Sequence, residues 1–257
     1  MELIGERPVV LVSDGGNPVG LGIASRLRDR GFLVAVNLPG GVDGPPTGSD
    51  DLVFVRPAVT AGDAAGLVAD VVGAAGRLDA LVLTADVLIP VRVEDGEEAV
   101  FQEVLDRNVK TAFFLSQAAA RVMDQGAGGP GGAIVYVGSI HGEKPTGVSF
   151  AYAAAMGALK MLSREAALDL GRRGVRVNLL EVGALQDADQ RLSSNLSDVY
   201  ADYARKIPLP SGPGGSEDVA EAVLFLLSPE AHFLHGAEIR LDGGFTLHYM
   251  DHKMRSL

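Results

Sequence analysis

The chain has 257 residues, 47% of them hydrophobic and 21% charged, enough apolar content to bury a sizeable core, so intrinsic disorder is excluded. A net charge of −11 leaves no cationic footprint for nucleic-acid phosphates or an anionic membrane surface. Without cysteine there are no disulfides, no thiolate catalysis and no cysteine-ligated zinc, and five scattered histidines form no spaced ligand pair, so no metal site is expected. The first residues, Met1 to Pro8, lack a basic region followed by an apolar stretch, and no apolar run approaches the roughly 18 residues of a membrane helix. The expectation is a cytoplasmic protein with no membrane span.

In chain order, Val9-Val10-Leu11-Val12 is a short β-branched run bounded by polar residues, hence a buried strand. The glycine-rich stretch Ser13 to Gly22 predicts a turn, and Ile23 to Arg30 a helix. Strand, glycine turn and helix open a dinucleotide-binding unit, in which glycines let the backbone approach a pyrophosphate at the helix N-terminus. A glycine turn kept only for strand–helix packing is the competing reading. Phe32 to Val36 is a second strand, followed from Gly40 to Asp50 by breakers that cannot hold a helix. Asp51 to Val55 is a third strand, Ala61 to Ala75 a helix, and Asp79 to Thr84 a fourth strand. Val100 to Asp124 is a long helix, and Gly126 to Gly132 a turn into the strand Ala133 to Val137, which closes on Gly138-Ser139. Phe150-Ala151-Tyr152 opens an alanine-rich helix reaching Leu170. Val175 to Leu180 is a sixth strand. The polar stretch from Leu185 to Pro208 carries Tyr200 and Tyr203 and reads as a substrate lid. Ser216-Glu217-Asp218 caps a helix running to Leu227, with acidic residues in its first turn. Ala237 to Leu241 is a last strand, followed by Asp242-Gly243-Gly244 and a tail from Phe245 to Leu257.

Ser139 at a strand end, with Tyr152 thirteen positions later in the first turn of a helix, resembles the short-chain dehydrogenase/reductase family. The resemblance covers essentially the whole chain, and the order of strands and helices carries more of it than any single motif. It implies a single domain over residues 1–257: a doubly wound, Rossmann-like parallel sheet in a three-layer α/β/α arrangement. It also implies that Ser139 and Tyr152 polarise a substrate carbonyl and that Asn108 supports a water linked to the active-site lysine. Gly16, Gly20 and Gly22 lie on the family's glycine motif without a gap. An alternative fit takes Ser13-Asp14 as its first pair and lengthens the loop by two residues. Either fit puts the Asp14 carboxylate near a diphosphate.

Several positions depart from the family. The lysine expected four residues after the tyrosine is Met156. The adenosine end has Leu38 and Ala58 in place of polar residues. Leu83 and Asp86 stand in the floor motif, with aspartate where the family has glycine, and Val182 replaces the proline beside the nicotinamide. Met156 brings no charge and no donor. Lys160, one further turn along the same stripe, is the candidate substitute, weighed against an exposed or subunit-contact lysine. His141 and Lys144 are further cations of the nearby loop, weighed against solvated residues.

Departures confined to the ligand site predict a non-catalytic subunit with no NAD(P)H binding, or weak binding. It is expected to pair with itself or another family member through the helices of Asn108 and Tyr152, which in the family build the dimer face. The alternative is an NAD(P)H-dependent ketoreductase that uses Ser139 and Tyr152 on a small carbonyl substrate. A third reading is a cofactor-free binder or catalyst for a hydrophobic metabolite, its cleft lined by Leu83, Leu38 and Met156.

Overall fold

The β-branched runs become the strands of one sheet in the computed structural model, which describes residues 7–38, 52–55, 60–84, 86–123, 131–183, 185–186 and 205–247. The strands are β1 (Val9–Val12), β2 (Leu33–Leu38), β3 (Leu52–Val55), β4 (Ala80–Leu83), β5 (Ala133–Ser139), β6 (Arg176–Val182) and β7 (Glu238–Leu241). All neighbours pair in parallel, in the order β3-β2-β1-β4-β5-β6-β7. Parallel pairing needs a crossover between strands, which is why both sheet faces are covered and the strands are mostly apolar.

Alternation along each strand sorts the core into two layers. Val10 and Val12 pack with Ile23, Ala24 and Leu27 of helix α1 (Pro18–Asp29) and with Val219, Val223 and Leu226 of the last long helix. Val9 and Leu11 face the opposite layer, shared by α2 (Ala64–Ala75), α4 (Thr111–Met123) and α5 (Phe150–Leu170). The short α3 (Glu98–Leu105) runs into α4 through a π-helical turn, Asp106–Lys110. The last long helix is α6 (Ser216–Leu227). This is the doubly wound, three-layer architecture that the resemblance implies. Tyr136 shows how the core treats a polar tip. Burial pushes its phenol pKa up to about 12, and its hydroxyl is satisfied by Ser116 at 2.6 Å.

Some boundaries differ from the sequence reading, each for a local reason. Helix α1 starts at Pro18, five residues before the expected Ile23, because Asn17 caps it and proline suits a first helical position. Gly20 and Gly22 therefore lie inside the helix. The expected single helix from Val100 to Asp124 is interrupted where the π turn inserts one residue. Ser216 is the first helical residue of α6 and not its cap; Gly215 holds that place, and its N–H donates to the Asp218 carboxylate at 2.8 Å. The breaker stretch at 40–50 and most of the expected lid at 185–208 lie outside the described residues, and the tail at 245–257 is described only to Leu247.

Candidate active site

The strand order reverses between β1 and β4, and in an open α/β sheet the crevice at such a point is where ligands bind. Polar contacts lace the carboxyl ends of these two strands together. Ser13 Oγ accepts the Thr84 N–H at 3.0 Å. Thr84 Oγ1 donates to the Asp14 carbonyl at 2.9 Å and accepts the Asp14 N–H at 3.1 Å. Asn17 Nδ2 reaches the Thr84 carbonyl at 3.1 Å.

The turn above satisfies its own donors. Asp14 Oδ1 accepts the Gly16 N–H at 2.7 Å, and Asn17 Oδ1 accepts the Gly20 N–H at 2.8 Å. A side chain on Gly20 would run into the Asp14 carbonyl, and one on Gly22 would lie 2.9 Å from Ser216 Oγ. Both glycines thus have a packing role. Gly15, not singled out from the sequence, is the third tight point: an added Cβ would sit 2.8 Å from Leu38 Cδ2. Leu38 is buried at the end of β2, directly against this turn. β1 stops at Val12, yet its hydrogen bonds run on, with Ser13 N donating to Val82 O and Gly15 N to Asn37 O. Ser13 and Asp14 thus follow the strand while keeping its path. Ala58 lies outside the described residues.

Asn108 sits in the π turn, fully buried. Its Oδ1 accepts the Val87 N–H at 3.0 Å, and its Nδ2 donates to the Val87 and Val104 carbonyls, both at 2.9 Å. The carboxamide is committed to backbone, so it holds the segment after β4 in place. The other end of that segment is fixed where the Val91 N–H donates to the Val148 carbonyl at 2.8 Å. Asp86, immediately before the first of these clamps, is brought against α5. Tyr152 donates its hydroxyl hydrogen to Asp86 Oδ1 at 2.6 Å.

Ser139, half-buried and in register with Val182 of β6, also hydrogen-bonds the Tyr152 phenol. Ser139 Oγ accepts the His141 N–H at 3.2 Å. The His141 ring lies edge-on to Tyr152 at 6.0 Å, so this loop histidine belongs to the site. Lys144 does not: it is exposed, and it contributes only its backbone carbonyl, 3.0 Å from the His141 ring.

The electrostatics follow from burial. Loss of hydration pushes the Tyr152 pKa well above 10, and the charge and acceptor of Asp86 push the same way; only the Ser139 hydrogen bond opposes them. Asp86 keeps some solvent access at the cleft mouth, but protein crowds its carboxyl. Loss of hydration raises its pKa, against the downward pull of the Tyr152 hydrogen bond and the nearby His141. In the family the partner of this tyrosine is cationic. Here it is a carboxylate, and the phenol is held protonated.

Met156 lies on the next turn of α5, only 3% exposed, with its sulfur near Gly138 and its backbone under Gly142. Lys160 is not its substitute, which corrects the sequence expectation. Its ammonium pairs with Glu143, with Glu181 at 3.0 Å and with Glu238 at 3.0 Å. Burial pulls the Lys160 pKa down, but the hydrogen bonds from the three carboxylates outweigh it and leave the pKa raised. Arg240 joins the same group, 3.4 Å from Glu181 and also paired with Glu143. These three carboxylates have metal-like spacing, but with Lys160, Arg240 and Arg164 paired to them they form an ion-pair network. Glu181 and Glu143, remote in sequence, were not legible as its members. Leu83 and Asn108 line a small pocket with Ser13, Asp14, Arg107 and Val137, whereas Leu38 and Met156 are packed elsewhere, so the three residues expected to line one apolar cleft do not.

Comparison with known proteins fits this fold. A family model described as enoyl-(acyl carrier protein) reductase matches residues 18–246. The chain is 33% identical over 256 residues to 2-(S)-hydroxypropyl-CoM dehydrogenase 3 of Xanthobacter autotrophicus, covering 94% of this chain and 97% of that protein. It is 32% identical over 184 residues to a cyclopentanol dehydrogenase of Comamonas, covering 70% of this chain and 71% of that protein. Among solved structures, a short-chain dehydrogenase/reductase from Serratia marcescens superposes with a TM-score of 0.82 at 28% identity, covering 93% of this chain and 98% of that one. No helix among the described residues is long and apolar enough to cross a membrane.

Proposed function

The chain belongs to the short-chain dehydrogenase/reductase family, and from that premise we propose that it is a member with little or no hydride transfer of its own, working as a subunit of a family assembly. The observation that carries the reading is the 2.6 Å hydrogen bond from Tyr152 to Asp86, beside Met156 at the lysine position. A dinucleotide is a poor fit to these residues. Asp86 stands where the family's floor glycine would let a ribose approach. Asp14 and Asn17 already take the Gly16 and Gly20 N–H groups that would face a pyrophosphate. Two carboxylates replace one ammonium along a path meant for a polyanion, which costs binding energy in a partly dry cleft. A tyrosine that has lost its cation loses general acid–base help on the order of 10²–10⁴ in rate.

The assembly face would be α4 and α5. Phe113, Phe114, Met161 and Leu168 are exposed there, Leu168 at 75%, and such an apolar patch on a helical face suits a partner helix pair. Either a second copy or an active relative would serve.

One observation favours a second reading. The Ser139–Tyr152 contact is intact, and the relatives named above are dehydrogenases, so an NAD(P)H-dependent oxidoreductase without the lysine remains the alternative. Titrating the purified chain with NADH and NADPH, with and without a ketone, separates the two. The proposal expects no micromolar binding and no oxidation of the reduced dinucleotide. Saturable binding with ketone-dependent turnover would overturn it.

A further inference from the structure

Asp86 departs from the family's floor motif, yet the structure builds a site around it. Asn108 fixes the backbone immediately after it with two hydrogen bonds to Val87, and the Val91–Val148 contact fixes the segment beyond. The carboxyl is thereby held against a buried phenol, which in turn touches Ser139 at the end of β5. The result is a continuous line: His141 N–H to Ser139 Oγ, Ser139 hydroxyl to Tyr152 Oη, Tyr152 O–H to Asp86. One end is a base reaching solvent at the cleft mouth, and the other carries hydroxyl donors.

We propose that Asp86, Tyr152 and Ser139 form a cofactor-independent proton-transfer site for small carbon acids, enolising a ketone by abstraction of its α-hydrogen. In the step, the C–H bond α to the carbonyl breaks and its proton passes to the Asp86 carboxylate. The electron pair of that bond becomes the new carbon–carbon double bond, and the carbonyl oxygen takes the negative charge. The Ser139 hydroxyl hydrogen, turned from Tyr152 to the substrate, donates a hydrogen bond to that oxygen. Once neutral, Asp86 no longer draws the Tyr152 hydrogen, which turns to the enolate oxygen, so the donor follows the charge as it moves. Reversal returns a proton to carbon, and no oxidant or reductant is needed. A phenol that stays protonated is suited to this task, since it has to donate a hydrogen bond and not ionise. The inference rests on the reading that no dinucleotide occupies the cleft.

The test is deuterium uptake by cyclohexanone in D₂O near neutral pD, followed by proton NMR, with the purified chain and no dinucleotide. The proposal expects saturable exchange at least tenfold above buffer. Asp86→Asn should return it to the buffer rate, while Tyr152→Phe and Ser139→Ala should each slow it tenfold or more; circular dichroism and thermal unfolding check that each variant is folded. Exchange by the wild-type chain equal to buffer would overturn the proposal, as would undiminished exchange by a folded Asp86→Asn variant. If Asp86→Asn does not fold, Asp86→Glu, which keeps the base one methylene displaced, must retain part of the exchange or the assignment fails. Because no dinucleotide is present, a negative result here leaves the hydride-transfer reading to its own titration.

Discussion

The pairing of Tyr152 with Asp86 depends on residues that pin each partner, and these give the sharpest local tests. Asn108→Ala removes three buried hydrogen bonds and strands the Val87 N–H and carbonyl, so it should cost about 2–4 kcal/mol, measured by urea denaturation. Gly20→Ala should cost about 3 kcal/mol, since the added Cβ meets main chain that cannot rotate away. Asn17→Ala loses a helix cap and should cost about 1 kcal/mol. Ser139, Tyr152, Asn108 and the missing lysine at Met156 were legible through the family resemblance, which assigns each of them a place along its strand or helix. The Asp86–Tyr152 hydrogen bond could not: its partners are far apart in sequence and meet only through the π turn and its clamp on Val87. The Lys160 ion pairs were not legible for the related reason that the three carboxylates that claim it come from three separate segments.

Helix α5 shows what an element can absorb when its site chemistry changes. Its first two turns carry Tyr152 and Met156 against β5, and its middle carries Lys160 into the network with Glu143, Glu181 and Glu238. Lys160→Met should destabilise the fold by about 3–5 kcal/mol, because it leaves the almost fully buried Glu181 with less compensation; adding Glu181→Gln should recover part of the loss in a double-mutant cycle. The network also sets a pH window. Hydrogen bonding to Lys160 holds the Glu143 pKa below 4.5, and for Glu238 the bonds from Arg164 and Lys160 overcome its burial to do the same. A depressed carboxylate contributes stability that is complete above its unfolded pKa and lost as pH falls through the folded one. Lys160, raised above 10.5, contributes below that value and loses its contribution only as pH rises through the folded pKa. The network's contribution should therefore be flat between these limits and fall below about pH 4.5, and Lys160→Met should shrink that acid loss in the urea midpoint. Helix existence was legible in apolar spacing, whereas the early start of α1 and the π turn in α3–α4 were not, because a cap and an inserted residue leave little trace in periodicity.

For the molecule as a whole, the doubly wound sheet and its three layers were legible through the family resemblance, whereas the strand order came from the structure, within the few topologies that parallel strands and a right-handed wind allow. The proposed assembly belongs to this scale. Phe113→Glu with Leu168→Glu should convert an oligomer to monomer in light scattering while leaving the far-ultraviolet spectrum unchanged; an unaltered mass would remove α4 and α5 as the assembly face. The account as a whole rests on an inversion: a carboxylate beside the tyrosine where the family places a cation. Alkaline difference spectroscopy of wild type against Tyr152→Phe reads that inversion directly, because the difference isolates one phenol. The account predicts that the Tyr152 phenolate appears only well above pH 10 or with unfolding. A Tyr152 phenolate forming below pH 10 would contradict it.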